Sequence, residues 1–128
     1  MKTVTIIARV LLGLMFVVFG LNPFLKFLPM PPLTGVWGQF LEALFVSHYV
    51  WLIGAVQVIS GALFLIGRYV PLAIALSGPV LLNILAYHIT MQHSGAQPAG
   101  LALICWLFLF WRYRESFAPL WVAKTEQK

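Results

Sequence analysis

Long stretches without a formal charge dominate this sequence. No Asp, Glu, Lys or Arg occurs over residues 10–25, 43–67 or 69–111. Hydrophobic residues make up 62% of the 128-residue chain and charged residues only 9%. A water-soluble domain of this length could not bury so much apolar surface. The sequence therefore predicts an integral membrane protein and argues against a cytosolic enzyme, a disordered chain or a secreted disulfide scaffold.

Four apolar segments have the length expected of membrane spans, because a spanning helix takes about 20 residues. We predict an all-α membrane protein, a four-transmembrane-helix bundle that forms one domain over residues 1–128. The approximate spans are 4–25, 48–66, 70–90 and 97–114. The fourth is the weakest of them, since its uninterrupted apolar part, 99–111, covers only about 20 Å at 1.5 Å per residue. The polar residues 122–128 are predicted to form a tail.

Two segments near the first span allow more than one interpretation. The basic start and apolar run of the chain also describe a signal peptide, but no small-residue cleavage site follows, so we predict a retained span. Segment 34–46 is too short to span and carries Gln39 and Glu42 among apolar residues. It is predicted to be a short amphipathic helix at the membrane surface or a re-entrant cap.

The distribution of basic residues predicts the orientation in the membrane, because Lys and Arg near span ends favour the cytoplasmic side. With the N-terminus inside, only Lys26 lies outside. The inside set is Lys2, Arg9, Arg68, Arg112, Arg114, Lys124 and Lys128. Both termini are therefore predicted to be cytoplasmic. The net charge of +5 is explained by topology, and no nucleic-acid-binding surface is expected.

The few polar side chains inside the spans predict a ligand pocket in the outer half of the bundle. Polar groups at this depth usually face the bundle interior. The predicted lining residues are Gln57, Asn83 and Tyr87, with Asn22, Lys26 and His88 as further candidates. Asn22 joins the pocket only if a break at Pro23 turns it inward. The alternative is that these groups make interhelical hydrogen bonds.

The residues that the spans lack limit the chemistry. No Asp occurs in the chain, and no Glu lies in a predicted span, which argues against a proton-coupled multidrug transporter. Cys105 is the single cysteine, so no dithiol relay is possible within one chain. The three histidines have no metal-ligand spacing. We therefore predict no catalytic residue, no metal site and no enzyme that acts alone.

Several segments together resemble the DoxX family, whose small bacterial members are four-helix integral membrane proteins. These segments are Arg9–Gly13 with Phe19–Asn22, Ser60–Ala73, Gly78–Ile84 with His88, and Tyr113–Leu120. The resemblance covers nearly the whole chain, although each motif is short and hydrophobic. It implies a multi-pass protein of the bacterial inner membrane, associated with membrane oxidoreductase subunits and with a quinone as the expected small molecule.

The resemblance implies a non-catalytic subunit or quinone-binding component of a membrane redox complex. Many relatives carry Glu where this chain has Gln57, so the architecture can persist without an activity that depends on that carboxylate. The alternative function is an oligomeric small-solute transporter or channel. In such a homo-oligomer, the glycine faces of the first two spans would pack between subunits.

Overall fold

The computed structural model describes residues 2–25, 32–93 and 96–124. All regular secondary structure within these ranges is helical. The helices are α1 (Lys2–Leu25), α2 (Gly35–Val46), α3 (Tyr49–Ile66), α4 (Val70–Thr90), α5 (Gln97–Arg112) and α6 (Arg114–Phe117), followed by a 3₁₀ turn over Ala118–Trp121. The predicted all-α class is therefore confirmed for the described residues.

Three helices, α1, α3 and α4, are long and apolar enough to cross a membrane. Helix α5 has 16 residues, which is about 24 Å at 1.5 Å per residue and less than the roughly 30 Å of a hydrocarbon core. It ends at Arg112, two residues before the predicted end of the fourth span, because Tyr113 separates it from α6. The structure thus shows three membrane-length helices and a shorter apolar fourth.

Helices α1, α3, α4 and α5 pack around one core. Each of α1 and α4 contacts both α3 and α5. Four large side chains at the centre have less than 2% of their surface exposed, and each helix supplies one: Leu12, Phe64, Ile74 and Leu109. Large apolar side chains also cover the outside, where Leu82 is 69% exposed and Ile104 is 66% exposed. An apolar exterior of this kind is what a lipid environment requires.

The tightest packing joins α1 to α3 through two pairs of glycines. A Cβ atom built on Gly61 would lie 2.7 Å from the carbonyl oxygen of Gly13, and one built on Gly54 would lie 2.7 Å from the carbonyl oxygen of Gly20. The glycines of each helix are seven residues apart, which is two helical turns, so they occupy one face. The two helices therefore approach backbone to backbone, as the predicted glycine stripes indicate. This close contact lies within one chain.

Basic side chains gather at the end of the bundle where α1 begins and α3 finishes. Arg9 donates hydrogen bonds from Nη1 to the carbonyl oxygens of Phe64 and Leu65, in the last turn of α3. Arg112 Nε donates to Thr5 Oγ1 over 3.0 Å and links α5 to α1. Arg68 lies in the turn between α3 and α4. The fold thus brings together basic residues that are far apart in sequence.

Helices α4 and α5 are joined by a buried polar contact. Trp106 Nε1 donates to the carbonyl oxygen of Ile74 over 3.1 Å and lies 3.2 Å from Ser77 Oγ. The Trp106 ring also lies against Gly78, where an added Cβ would come within 3.1 Å of Cζ2. This contact lies just before Pro79, which cannot supply a backbone N–H inside α4. The indole therefore links α5 to the turn of α4 that precedes Pro79.

The predicted amphipathic segment is the helix α2, which packs against α3. Gln39 and Glu42 are exposed, as expected for its polar side. Phe40 stacks on Tyr87 of α4, with ring centroids 5.7 Å apart and 28° between the ring planes. Residues 122–124 of the predicted tail are exposed and not helical, whereas 125–128 lie outside the described residues. Helix α2 is thus positioned beside the last turns of α4.

Candidate functional site

Two neighbouring cavities lie at one end of the bundle. We call this the distal end; it is where α1 and α4 finish and α3 and α5 begin. The larger cavity has a volume of about 500 Å³ and lies between α2, α3 and α4. The smaller cavity has a volume of about 190 Å³ and is lined by α1, α3, α4 and α5. Ile84 and His88 line both cavities and form the wall between them.

The larger cavity contains two of the three principal predicted site residues. Asn83 and Tyr87 lie one turn apart on α4, and both line it. Asn83 Nδ2 donates a hydrogen bond to the carbonyl oxygen of Pro79 over 2.8 Å, which fixes the amide along the helix. Its second N–H and its carbonyl oxygen remain as hydrogen-bonding groups beside the cavity. Of the other lining side chains, only Tyr49 and His88 carry a polar group. Helix α2 supplies Phe40, Leu41 and Leu44.

Gln57 lies in the smaller cavity and not in the larger one. Its side chain is 6% exposed and lies against the glycine contact, where a Cβ built on Gly20 would approach the Gln57 Cβ to 2.7 Å. Among the described residues, its amide has no hydrogen-bond partner. The interhelical hydrogen bond considered for Gln57 is therefore not formed within this part of the chain. The pocket predicted from the sequence is divided into two, since Gln57 and Asn83 line different cavities.

His88 is the polar residue common to both cavities. It lies in the last turn of α4 and is half-buried. Its Nδ1 is 3.1 Å from the carbonyl oxygen of Gln92. A carbonyl oxygen only accepts hydrogen bonds, so in the neutral ring Nδ1 carries the proton and Nε2 is an acceptor. The Tyr87 ring meets the imidazole edge-on, with centroids 5.1 Å apart.

Of the two remaining candidates, Asn22 lies within the described residues. Asn22 is half-buried on α1 and lines neither of them. Its inclusion needed a break at Pro23, but α1 continues through Pro23 to Leu25, so Asn22 keeps its regular helical position away from the cavities. Lys26 lies outside the described residues.

Sequence reasoning did not identify the contribution of α5 and α2 to these cavities. Ala99 and Ala102 are three residues apart on α5, and both are buried beside the smaller cavity. Their small side chains leave space that larger residues would fill, and this spacing on one helical face was the available signal. Phe40 and Leu44 of α2 line the larger cavity, again at a helical spacing.

His48 and His88 contact different aromatic side chains. His48 lies against Trp51, with ring centroids 4.5 Å apart, whereas His88 contacts Tyr87. His93 is exposed beyond the end of α4. Over residues 2–25, 32–93 and 96–124, no three His, Cys, Asp or Glu side chains come close enough together to hold a metal ion. The polar groups that line the two cavities are the amides of Gln57 and Asn83, the phenol groups of Tyr49 and Tyr87, and the imidazole of His88.

No protein-family model, curated protein or solved structure is significantly similar to this chain. The resemblance to the DoxX family therefore depends on the sequence motifs alone.

Proposed function

We propose that this chain is a four-span inner-membrane protein of the DoxX type, a non-catalytic component of a membrane redox complex that binds a quinone-like molecule. The larger cavity is the observation that carries this proposal. Its volume of about 500 Å³ falls within the roughly 300–1,000 Å³ of typical ligand sites, which combine apolar walls with a few polar groups. Asn83, Tyr87 and His88 supply those polar groups here.

The chemistry of these groups suits a ring with carbonyl oxygens. A quinone carbonyl only accepts hydrogen bonds, and the second N–H of Asn83 and the hydroxyl of Tyr87 are donors. The aromatic pair Phe40 and Tyr87 offers a flat surface on which a ring can stack. These residues include no group able to store an electron, so the redox reaction belongs to partner subunits of the complex.

Ligand binding is tested by photo-crosslinking of an azido-quinone to the purified protein, together with native mass spectrometry for quinone that co-purifies. Asn83→Leu should lower crosslinking about tenfold, because loss of one hydrogen bond costs on the order of 1 kcal/mol or slightly more. Leu82→Ala, one residue away on the exposed side of α4, should leave crosslinking unchanged. Phospholipid as the bound molecule, or equal crosslinking in the two variants, would contradict the proposal.

The proposed topology has four spans with both termini in the cytoplasm. It is tested by labelling introduced cysteines with a membrane-impermeant maleimide in intact cells. The unmodified chain, whose single cysteine Cys105 is buried, gives the background labelling. A cysteine introduced by Ala96→Cys, between α4 and α5, should react from outside. One introduced by Ser116→Cys, beyond α5, should react only after the cells are permeabilised. Labelling of both variants from the same side would show that α5 does not cross the membrane.

The alternative of an oligomeric transporter or channel carries one expectation about packing. In that hypothesis, glycine faces of the first two spans pack between subunits. In the structure, these faces pack against each other within one chain, through Gly13 with Gly61 and Gly20 with Gly54. The glycine stripes are therefore explained by intramolecular packing, and no other described contact favours a channel.

A further inference from the structure

The smaller cavity is partly open and lies between four helices. Side chains from α1, α3, α4 and α5 line it, and its walls are apolar apart from Gln57 and His88. Asn83 and Tyr87, which supply the hydrogen-bond donors proposed for the quinone-like molecule, do not line it. An inference about this cavity depends on Gln57, which the function proposed above does not use.

Gln57 gives the smaller cavity a polar group without a protein partner. The side chain is 6% exposed, and no hydrogen bond joins its amide to any other described residue. The amide offers two N–H donors and one carbonyl acceptor on the wall of the cavity. A ligand that both accepts and donates a hydrogen bond there would complement these groups.

His88 adds an acceptor to the same cavity. Because its Nδ1 faces the carbonyl oxygen of Gln92, the Nε2 atom of the neutral ring carries a lone pair. Gln57 carries no charge, and no Asp, Glu, Lys or Arg side chain lines this cavity. A charged ligand would therefore lose its hydration without an ion-pair partner, which is strongly unfavourable in an apolar cavity.

The volume of the smaller cavity matches about one ring. An engineered apolar cavity of roughly 150 Å³ in another protein binds benzene, and this cavity measures about 190 Å³. Phe16 and Phe19 provide aromatic walls, and the small side chains of Ala99 and Ala102 leave room opposite. A ring without polar groups fits this space but leaves the Gln57 amide without a partner.

We propose that the smaller cavity binds a neutral single-ring molecule that carries a hydroxyl group, that is, a phenol. The ring occupies the apolar space between α1 and α5. The hydroxyl oxygen accepts from the Gln57 N–H, and the hydroxyl proton is donated to Gln57 Oε1 or His88 Nε2. Both polar groups of the cavity are thereby placed next to a group of complementary chemistry.

The test uses fluorine NMR of 4-fluorophenol and fluorobenzene added to the full-length protein in nanodiscs, with empty nanodiscs to subtract partitioning into lipid. We expect saturable binding of both probes, with 4-fluorophenol about tenfold tighter because one or two hydrogen bonds separate them. Equal affinities for the two probes, or no saturable binding above empty nanodiscs, would overturn the proposal. This comparison needs only the wild-type protein.

Three variants locate the binding site. Gln57→Met keeps a similar volume but removes the amide, and it should lower the preference for 4-fluorophenol severalfold while fluorobenzene still binds. Ala102→Leu reduces the space and should weaken both probes. Asn83→Leu changes only the larger cavity and should leave both affinities unchanged, although it lowers quinone crosslinking. A preference for 4-fluorophenol that is unchanged in Gln57→Met, or is lost in Asn83→Leu, would assign the probe to another site.

Discussion

Replacing Gly61 by leucine should prevent the bundle from assembling. A single Cβ atom at this position would already lie 2.7 Å from the carbonyl oxygen of Gly13 and 2.9 Å from the backbone nitrogen of Val17. These atoms belong to the α1 backbone and cannot move aside like a flexible side chain, so α1 and α3 would have to separate. Overpacking in a close-packed interior costs typically 1–3 kcal/mol and occasionally more. We expect Gly61→Ala to reach the upper part of that range and Gly61→Leu to exceed it.

Unfolding in detergent micelles, followed by tryptophan fluorescence, measures this effect. Gly100→Ala is the matched control, because an added Cβ on Gly100 meets no atom within 4 Å. Since glycine in a helix interior is less stable than alanine by roughly 0.5–1 kcal/mol, the control should be neutral or slightly stabilising. If Gly61→Ala and Gly100→Ala unfold alike, the close approach of α1 and α3 is not the packing that holds the core together.

Replacing Arg9 by methionine should cause the second large loss of stability. The Arg9 guanidinium donates to the carbonyl oxygens of Phe64 and Leu65, which lie in the last turn of α3. Carbonyl groups at a helix C-terminus have no partner in their own helix and carry partial negative charge. Hydrogen bonds to charged groups contribute about 1.5–3 kcal/mol. We therefore expect Arg9→Met to lower the free energy of unfolding by about 2 kcal/mol.

Arg112→Met provides the control for this change, because it removes a positive charge from the same end of the bundle. Arg112 is exposed and donates to Thr5 Oγ1, an exposed contact of the kind that contributes little, at most about 1 kcal/mol. Each variant removes one positive charge from this end of the bundle. The difference between their free energies of unfolding therefore measures the contribution of the Arg9 hydrogen bonds. Equal losses of stability would show that Arg9 acts only through its charge.

Two predictions about the fold followed directly from the sequence, because each depends on local properties. Long uncharged runs identified the helices α1, α3 and α4, and proline, glycine and basic residues marked where they end. The glycine face of α1 was also predictable, since residues seven apart share one side of a helix. The partner of that face was not. Only the packing shows that it meets α3 within the same chain.

The site residues selected from the sequence stay a prediction, but the structure gives the positions of five of them. Gln57, Asn83, Tyr87 and His88 were selected because polar residues inside spans are expensive, and the structure places all four beside distal cavities. Their division between two cavities could not be predicted, because it depends on how Ile84 and His88 pack between α3, α2 and α5. Asn22 was included on the assumption of a break at Pro23, which the continuous helix α1 does not contain.

The sequence by itself determined which helices are long and apolar enough to cross a membrane, because hydropathy and helix-ending residues are properties of neighbouring positions. It also limited the chemistry, since the predicted spans contain no carboxylate. Only the tertiary structure decided which surfaces meet. Arg9 bonds to α3 across 55 residues, Trp106 bonds to α4 across 32, and Ala102 of α5 lies beside the cavity of Gln57. Such contacts arise from helix packing between distant segments, and no local pattern specifies them.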